Sequence, residues 1–255
     1  LMRGQSWRLS DIAGYLDELL EMEKYRSERE HEGLLVEGKQ SVKSVGLGVN
    51  LSLQTIGQAV GRDLGLLVTH HPASLFTDGF LYEDKYRISR DSGLSLYVAH
   101  KALDQAKHFG TASSFASAIG LKVEGELIRD PETGKYSGVY GHSGTNLRDL
   151  VHRLEGVTRM KPQVRVASKR LGGIAVVTGW GGRPEWIHEA KNLRCNTFVT
   201  GEALMFGRLV AKELGVNMIL ASHYASEVPG VKALAQKIEK RFKTKTHFLD
   251  EENIG

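Results

Sequence analysis

The chain has 255 residues, 41% hydrophobic and 25% charged, with a formal net charge of +4. That balance is the composition of soluble globular material with enough apolar residues for a full core, so neither a disulfide nor a structural metal is needed merely to fold it. The longest apolar runs reach only about five or six residues, far short of a membrane span. No signal-peptide core follows Leu1-Met2-Arg3-Gly4, and the single cysteine, Cys195, has no intramolecular partner, so a reducing, cytoplasmic setting is expected. The mild positive excess suits anionic substrates and does not by itself indicate nucleic acid.

In chain order, Ser10 is a candidate N-cap. Ile12, Leu16, Leu19 and Leu20 share one helical face, which predicts an amphipathic helix over residues 11–23. The charged stretch 23–32 reads as the helix end and a solvated loop. Residues 42–49 have strand character, and Ser52 can cap a helix carrying Ile56, Ala59, Val60 and Leu64 on one face. Leu66-Leu67-Val68 is the next strand, with His70 and His71 placed just beyond its end.

Strand, helix and strand joined by short connections predict a parallel sheet covered by helices. In such sheets ligands collect outside the carboxyl ends of the strands. Three further apolar runs end in polar residues: 94–99 leads into His100, with Asp104 close behind; 197–199 leads into Thr200-Gly201-Glu202; and 216–220 leads into Ser222-His223, followed by Glu227.

The middle of the chain differs. Partial alternation from Lys122 and the turn sequence Asp130-Pro131-Glu132-Thr133-Gly134 predict an antiparallel hairpin over 121–140. This hairpin marks the change between two expected α/β halves, 1–120 and 121–255. Leu147, Leu150, Val151 and Leu154 form another helix face, and 164–167 and 174–177 read as strands. The second of these runs into Thr178-Gly179-Trp180-Gly181-Gly182, with a helix opening near Pro184. Cys195 falls in a helix-like stretch and reads as small core filler. A final helix carries Val231, Leu234, Ala235, Ile238 and Phe242 inward and Lys232, Lys237, Lys240 and Arg241 on a solvated face.

His70, His71, Asp104, His223 and Glu227 supply the mixture of imidazole and carboxylate donors that holds divalent metals. His223 and Glu227 stand at i and i+4, on one side of a helical turn. The alternative reading makes His100 and His223 hydrogen-bonded core residues, and Asp104 and Glu227 acids favoured by helix N-termini. The loop at Gly179 fails as a dinucleotide fingerprint, because its third glycine would fall on Pro184; it reads as a tight turn, with Arg183 keeping a phosphate-bearing ligand open.

His70-His71-Pro72, Ala99-His100-Lys101-Ala102-Leu103-Asp104, Thr200-Gly201-Glu202 and Ser222-His223-Tyr224-Ala225-Ser226-Glu227 resemble, in order, the motifs of the Nif-three-like family. Its members are also described as dinuclear metal-centre proteins and GTP cyclohydrolase I type 2 homologues. The likeness runs from about Gly33 to the final helix. It implies an α/β fold with α+β character, in which two similar halves form a layered sandwich around a central dinuclear metal site. It further implies His70, His71, Asp104, His223 and Glu227 as ligands of two divalent ions per chain, zinc, iron, manganese, cobalt or nickel, and a hexameric ring of identical chains.

The chain departs from the usual pattern at His31-Glu32, Asn50 and Phe206, where members carry Asn, Asp and His, and it lacks the middle domain inserted in some members. Glu202 and His100 match no ligand position but lie at strand ends. They are candidates to orient ligands or move protons, Glu202 being the better general base. The expected function is a metal-dependent hydrolase, GTP cyclohydrolase-like or phosphoester-cleaving, acting on a small molecule such as a nucleotide. The alternative is a non-catalytic metal-binding regulatory or interaction protein, and nucleic-acid binding through the basic final helix is disfavoured.

Overall fold

The computed structural model describes residues 6–25, 31–74 and 78–251. The elements begin with β1 (Trp7–Arg8), α1 (Leu9–Leu20), β2 (Gly33–Val36), β3 (Ser41–Val42), β4 (Ser44–Asn50), α2 (Leu53–Gly61) and β5 (Leu66–His71). They continue with α3 (Tyr82–Ser92), β6 (Ser95–Val98), α4 (Lys101–Asp104), α5 (Thr111–Ala118), β7 (Lys122–Arg129), β8 (Tyr136–His142) and α6 (Leu147–Thr158). Then come β9 (Gln163–Arg165), β10 (Gly173–Val177), α7 (Pro184–Asn192), β11 (Cys195–Thr200), α8 (Met205–Glu213), β12 (Asn217–Leu220), α9 (His223–Phe242) and β13 (Lys245–Phe248). The fold is α/β. It divides into two compact units, one holding the described residues up to Leu103 and those from Val231 onward, the other Asp104–Gly230.

The first unit is built on a five-stranded sheet of order β13-β4-β5-β6-β2. Its β13, β4, β5 and β6 run parallel, and β2 is an antiparallel edge. Helix α2 crosses between β4 and β5, as its sequence demands. Ser52 Oγ accepts from the Thr55 amide at 3.1 Å while Thr55 Oγ1 accepts from the Ser52 amide at 3.0 Å, a reciprocal capping box. The inward face of α2, Ile56 and Ala59, packs with Leu51, Leu64, Leu67, Leu96 and Leu249. Burying each such aliphatic side chain stabilises the fold by about 1.5–3 kcal/mol.

The second unit is built on a six-stranded sheet of order β7-β8-β10-β11-β12-β9. Strands β10, β11 and β12 are parallel, flanked by antiparallel β8 and β9. Along β10, Ile174 and Val176 join a cluster with Phe115, Leu150 and Leu154, while Ala175 and Val177 join one with Ile187, Phe198 and Met218. Both faces are covered, which is why the strand reads as an unbroken apolar run rather than an alternation. The expected hairpin is β7 against β8, from Lys122↔His142 to Arg129↔Tyr136. Asp130 Oδ1 shapes its turn by accepting from the Glu132 and Thr133 amides, both at 2.9 Å.

Several local expectations are corrected. Helix α1 begins at Leu9 after Arg8, with no side-chain cap, so Ser10 lies inside its first turn. His70 and His71 are the last two residues of β5 rather than beyond it, because pairing with β4 persists to Asn50↔His71. Cys195 opens a strand, not a helix; it is 1% exposed, as core filler should be. Of the charged stretch 23–32, residues 26–30 lie outside the described residues, and Glu32 is buried rather than solvated, at 4% exposure.

Helices α3, α5 and α8 escape the periodicity reading for physical reasons. The buried side of α3 carries Lys85, Tyr86 and Ser89, and α5 is made mostly of small residues. Helix α8 inverts the usual pattern, burying Gly207 and Ala211 while Met205, Phe206 and Leu209 stay exposed. The final helix largely follows its sequence: Val231, Leu234, Ala235, Ile238 and Phe242 are buried and Lys232, Lys240 and Arg241 are exposed, while Lys237 is half-buried rather than fully solvated. Among the described residues, no helix is long and apolar enough to cross a membrane.

Candidate metal centre

In the first unit, β5 ends in His70 and His71, and His100 follows β6, the parallel neighbour of β5. The strand ends bring three imidazoles together. Ring centroids lie 4.6 Å apart for His70 and His71, 5.1 Å for His70 and His100, and 5.4 Å for His71 and His100. One ring nitrogen from each lies within 4.8 Å of the others, a spacing that could hold a metal ion.

The hydrogen bonds also select the donor atom. His70 Nδ1 lies 3.0 Å from the Ala99 carbonyl oxygen, which can only accept, so Nδ1 carries the proton and Nε2 keeps its lone pair. His71 Nδ1 lies 2.7 Å from Asn50 Oδ1, with the same consequence. The segment bearing His100 is held from below. Glu32 accepts from the backbone amides of Lys101 at 2.6 Å and Ala102 at 3.2 Å, so a buried carboxylate caps α4.

In the second unit, β11 ends at Thr200 and leads through Gly201 to Glu202, while β12 leads into α9. His223 opens α9, with Glu227 one turn on. Its Nε2 lies 3.1 Å from Glu227 Oε1, and its Nδ1 lies 2.6 Å from Glu202 Oε1. Burial is the strongest single influence on this imidazole and lowers its pKa. The hydrogen bonds and charges of Glu227 and Glu202 together outweigh burial and push it up to about 9. A metal at Nε2 would take the place of that proton, with Glu227 beside it as a second donor and Glu202 holding the ring through Nδ1–H.

The Gly179 loop is part of the same arrangement. Gly179 has φ +60°, and a Cβ there would fall against Glu227 Oε1 and 2.9 Å from His223 Nε2. Its amide donates to Ser226 Oγ at 3.0 Å, and its carbonyl accepts from the Glu202 amide at 2.9 Å. The loop is therefore a tight turn that closes over the His223–Glu227 pair, and only glycine fits it. Arg183, at the head of α7, stacks between Trp180 and Trp186, 5.1 and 4.6 Å from their ring centroids.

Asp104 ends α4 and belongs to the second unit, where Thr111 Oγ1 donates to its Oδ1 at 2.5 Å and Thr178 Oγ1 donates to Thr111 at 2.7 Å. Thr111, Thr178, Ser226 and Glu251 are supporting residues that no sequence pattern marks, whereas Glu32 and Asn50 stand at positions where the chain departs from the usual family pattern.

The Duf34/NIF3 (NGG1p interacting factor 3) model matches residues 7–254. A curated relative from Pyrococcus horikoshii, called GTP cyclohydrolase 1 type 2 homolog, is 30% identical over 253 residues, covering 94% of this chain and 96% of its own length. Its namesake from Archaeoglobus fulgidus is 28% identical over 249 residues, covering 95% of this chain and 97% of its own. Among solved structures, a structural-genomics protein of unknown function, ybgI, superposes with a TM-score of 0.86 at 22% identity, over 98% of this chain and 100% of that one. That likeness speaks for the fold alone. With the family model spanning nearly the whole sequence, the chain belongs to the Duf34/NIF3 family.

Proposed function

We propose that the protein is a metal-dependent hydrolase whose divalent ions are held by His70, His71, Asp104, His223 and Glu227. The observation that carries this reading is the His70–His71 pair at the end of β5, whose rings lie 4.6 Å apart and have their Nδ1 protons committed to oxygen acceptors, leaving both Nε2 lone pairs for metal. Nitrogen donors with their tautomers so fixed fit a borderline-soft divalent ion. The His223–Glu227 pair supports it, offering an imidazole and a carboxylate from adjacent turns of α9.

Bound divalent ions would supply Lewis acidity, lowering the pKa of water toward neutrality and polarising a substrate oxygen. The chain's own residues do the rest. Glu202 fixes the ring of His223 through Nδ1, and its 55% exposed carboxylate is open to a substrate proton. On this reading His100, whose ring centroid lies 5.1 and 5.4 Å from those of His70 and His71, moves a proton at the edge of the imidazole group. A nucleotide or other phosphoester substrate is favoured by the name of the relatives, GTP cyclohydrolase 1 type 2 homolog, and by the net charge of +4.

The test begins with metal analysis of protein purified without added metal, for which this reading expects about two ions per chain. His71→Ala and Glu227→Ala should each lower that number, and His100→Ala should keep the metal while losing turnover of GTP or a phosphoester panel. Unchanged stoichiometry in both ligand variants overturns the assignment. Metal retention with no turnover across the panel favours the non-catalytic metal-binding reading instead.

A further inference from the structure

Behind His71 lies a chain of polar groups that reaches the far end of the described sequence. Asn50 is the last residue of β4 and pairs in register with His71, the last of β5. Asn50 is held on every side. Its Oδ1 meets His71 Nδ1 at 2.7 Å, its Nδ2 donates to Glu251 Oε2 at 2.8 Å, its backbone N–H donates to the same oxygen at 3.2 Å, and its backbone carbonyl accepts from Thr55 Oγ1 at 2.9 Å. Glu251 is 1% exposed and follows β13, the strand that pairs with β4 in parallel.

The direction of these bonds has a chemical consequence. A carboxylate only accepts, so it forces the NH2 end of the Asn50 side chain toward itself and the oxygen end toward His71. An oxygen at that position compels His71 Nδ1 to carry the proton. The opposite amide orientation would set two acceptors, Asn50 Oδ1 and the Glu251 carboxylate, against each other in a buried site, which is strongly unfavourable. From this geometry we infer that Glu251, acting through Asn50, is the positioning residue that sets the His71 tautomer, so that Nε2 presents its lone pair. This inference rests on the proposed ligand role of His71 only for its effect on metal, not for the tautomer itself.

The decisive variant is Glu251→Met, which keeps much of the length but removes the oxygen that accepts from both the Asn50 side-chain amide and its backbone N–H, so the Asn50 side chain loses its imposed direction. In metal-free protein, nitrogen-15 NMR of the imidazoles should show His71 as the Nδ1–H form in the parent and as a mixture in Glu251→Met. Metal affinity should fall by about 10- to 100-fold, the usual effect of losing an outer partner of a ligating histidine. Thermal unfolding distinguishes this from misfolding. The double variant Asn50→Asp/Glu251→Met supplies a rescue: a carboxylate, which only accepts, now meets His71 directly without needing direction from behind, and both tautomer and affinity should return toward the parent. A purely structural role for Glu251 would give no such rescue. An unchanged Nδ1–H tautomer in folded Glu251→Met overturns the inference. A mixed tautomer with unchanged metal affinity upholds the relay and overturns the ligand role of His71.

Discussion

The segments β4–α2–β5–α3–β6 and β10–α7–β11–α8–β12 have the same connectivity, three parallel strands joined by two helical crossovers, yet they present different chemistry at corresponding places. The second strand of the first segment ends in His70-His71, and that of the second leads to Glu202; the third strands lead to His100 and His223. In the first unit the imidazoles of His70 and His71 donate to neutral oxygens, a carbonyl and an amide. In the second, His223 lies between two carboxylates and holds its proton up to about pH 9. The common scaffold supplies strand ends, and the residues around them decide whether a unit offers imidazoles bonded to neutral oxygens or an imidazole held between carboxylates.

The sharpest way to break this comparison is at Gly179, which has no counterpart beside His70 and His71 among the described residues. Gly179→Ala should push the new methyl group into the His223–Glu227 pair and cost about 2–4 kcal/mol through strain and overpacking. Calorimetry should register the loss of stability, and metal titration a loss of the second unit's donors. Normal metal uptake by a stable Gly179→Ala protein would contradict the close packing described for this turn.

The matching support in the first unit is Glu32. Removing its carboxylate in Glu32→Ala leaves the Lys101 and Ala102 amides without their acceptor, and should destabilise the protein by about 1.5–3 kcal/mol. Hydrogen exchange should accelerate at the start of α4 and leave α9 unaffected. Equal acceleration at both helices would mean that the two strand-end sites are not separately supported.

Alkaline pH distinguishes the two cores. Burial first, then the charge of Glu124, pushes the Cys195 thiol up to about 11 in the second unit. Burial first, then Tyr82, raises the Tyr86 phenol to about 12 in the first. A raised folded-state pKa contributes stability that is complete below the ordinary value, 9.0 for the thiol and 10.0 for the phenol, and is lost as pH climbs to the folded value. Denaturant unfolding should therefore weaken between pH 9 and 11, by an amount on the order of 2 kcal/mol for Cys195. Cys195→Ala should remove the earlier part of that loss, and a flat profile up to pH 11 would refute it.

The smallest effect concerns the first crossover helix of each segment. Helix α2 depends on the Ser52 capping box, whereas α7 starts with Pro184 after Arg183 and has no side-chain cap. Ser52→Ala should cost about 1 kcal/mol. Arg183→Ala should cost about 0.5–1 kcal/mol, from its stacking on the two indoles rather than from the helix end. A larger loss for Arg183 in thermal melts would show that its contacts matter more than stacking accounts for.

Local physics made much of this chain legible. Ser52 and Thr55 announce a helix start, Asp130 to Gly134 a hairpin turn, and the apolar positions of α9 its buried face, because each signal lies within a few residues of what it specifies. The histidine pair and the i, i+4 spacing of His223 and Glu227 were legible for the same reason. What only the tertiary structure decided depends on pairing between distant parts of the chain. The return of β13 to the side of β4 brings Glu251 to Asn50; Glu32 reaches the amides of α4 from 69 and 70 residues away; and the turn at Gly179 meets α9. Helix α8 shows the same limit in packing: its buried face carries Gly207 and Ala211, with the Gly182 carbonyl directly against Gly207, and no periodicity of large apolar residues can announce that. A ligand's identity can be written in a short motif, but the direction of the hydrogen bond that prepares its lone pair is set by whichever distant residue the fold brings behind it.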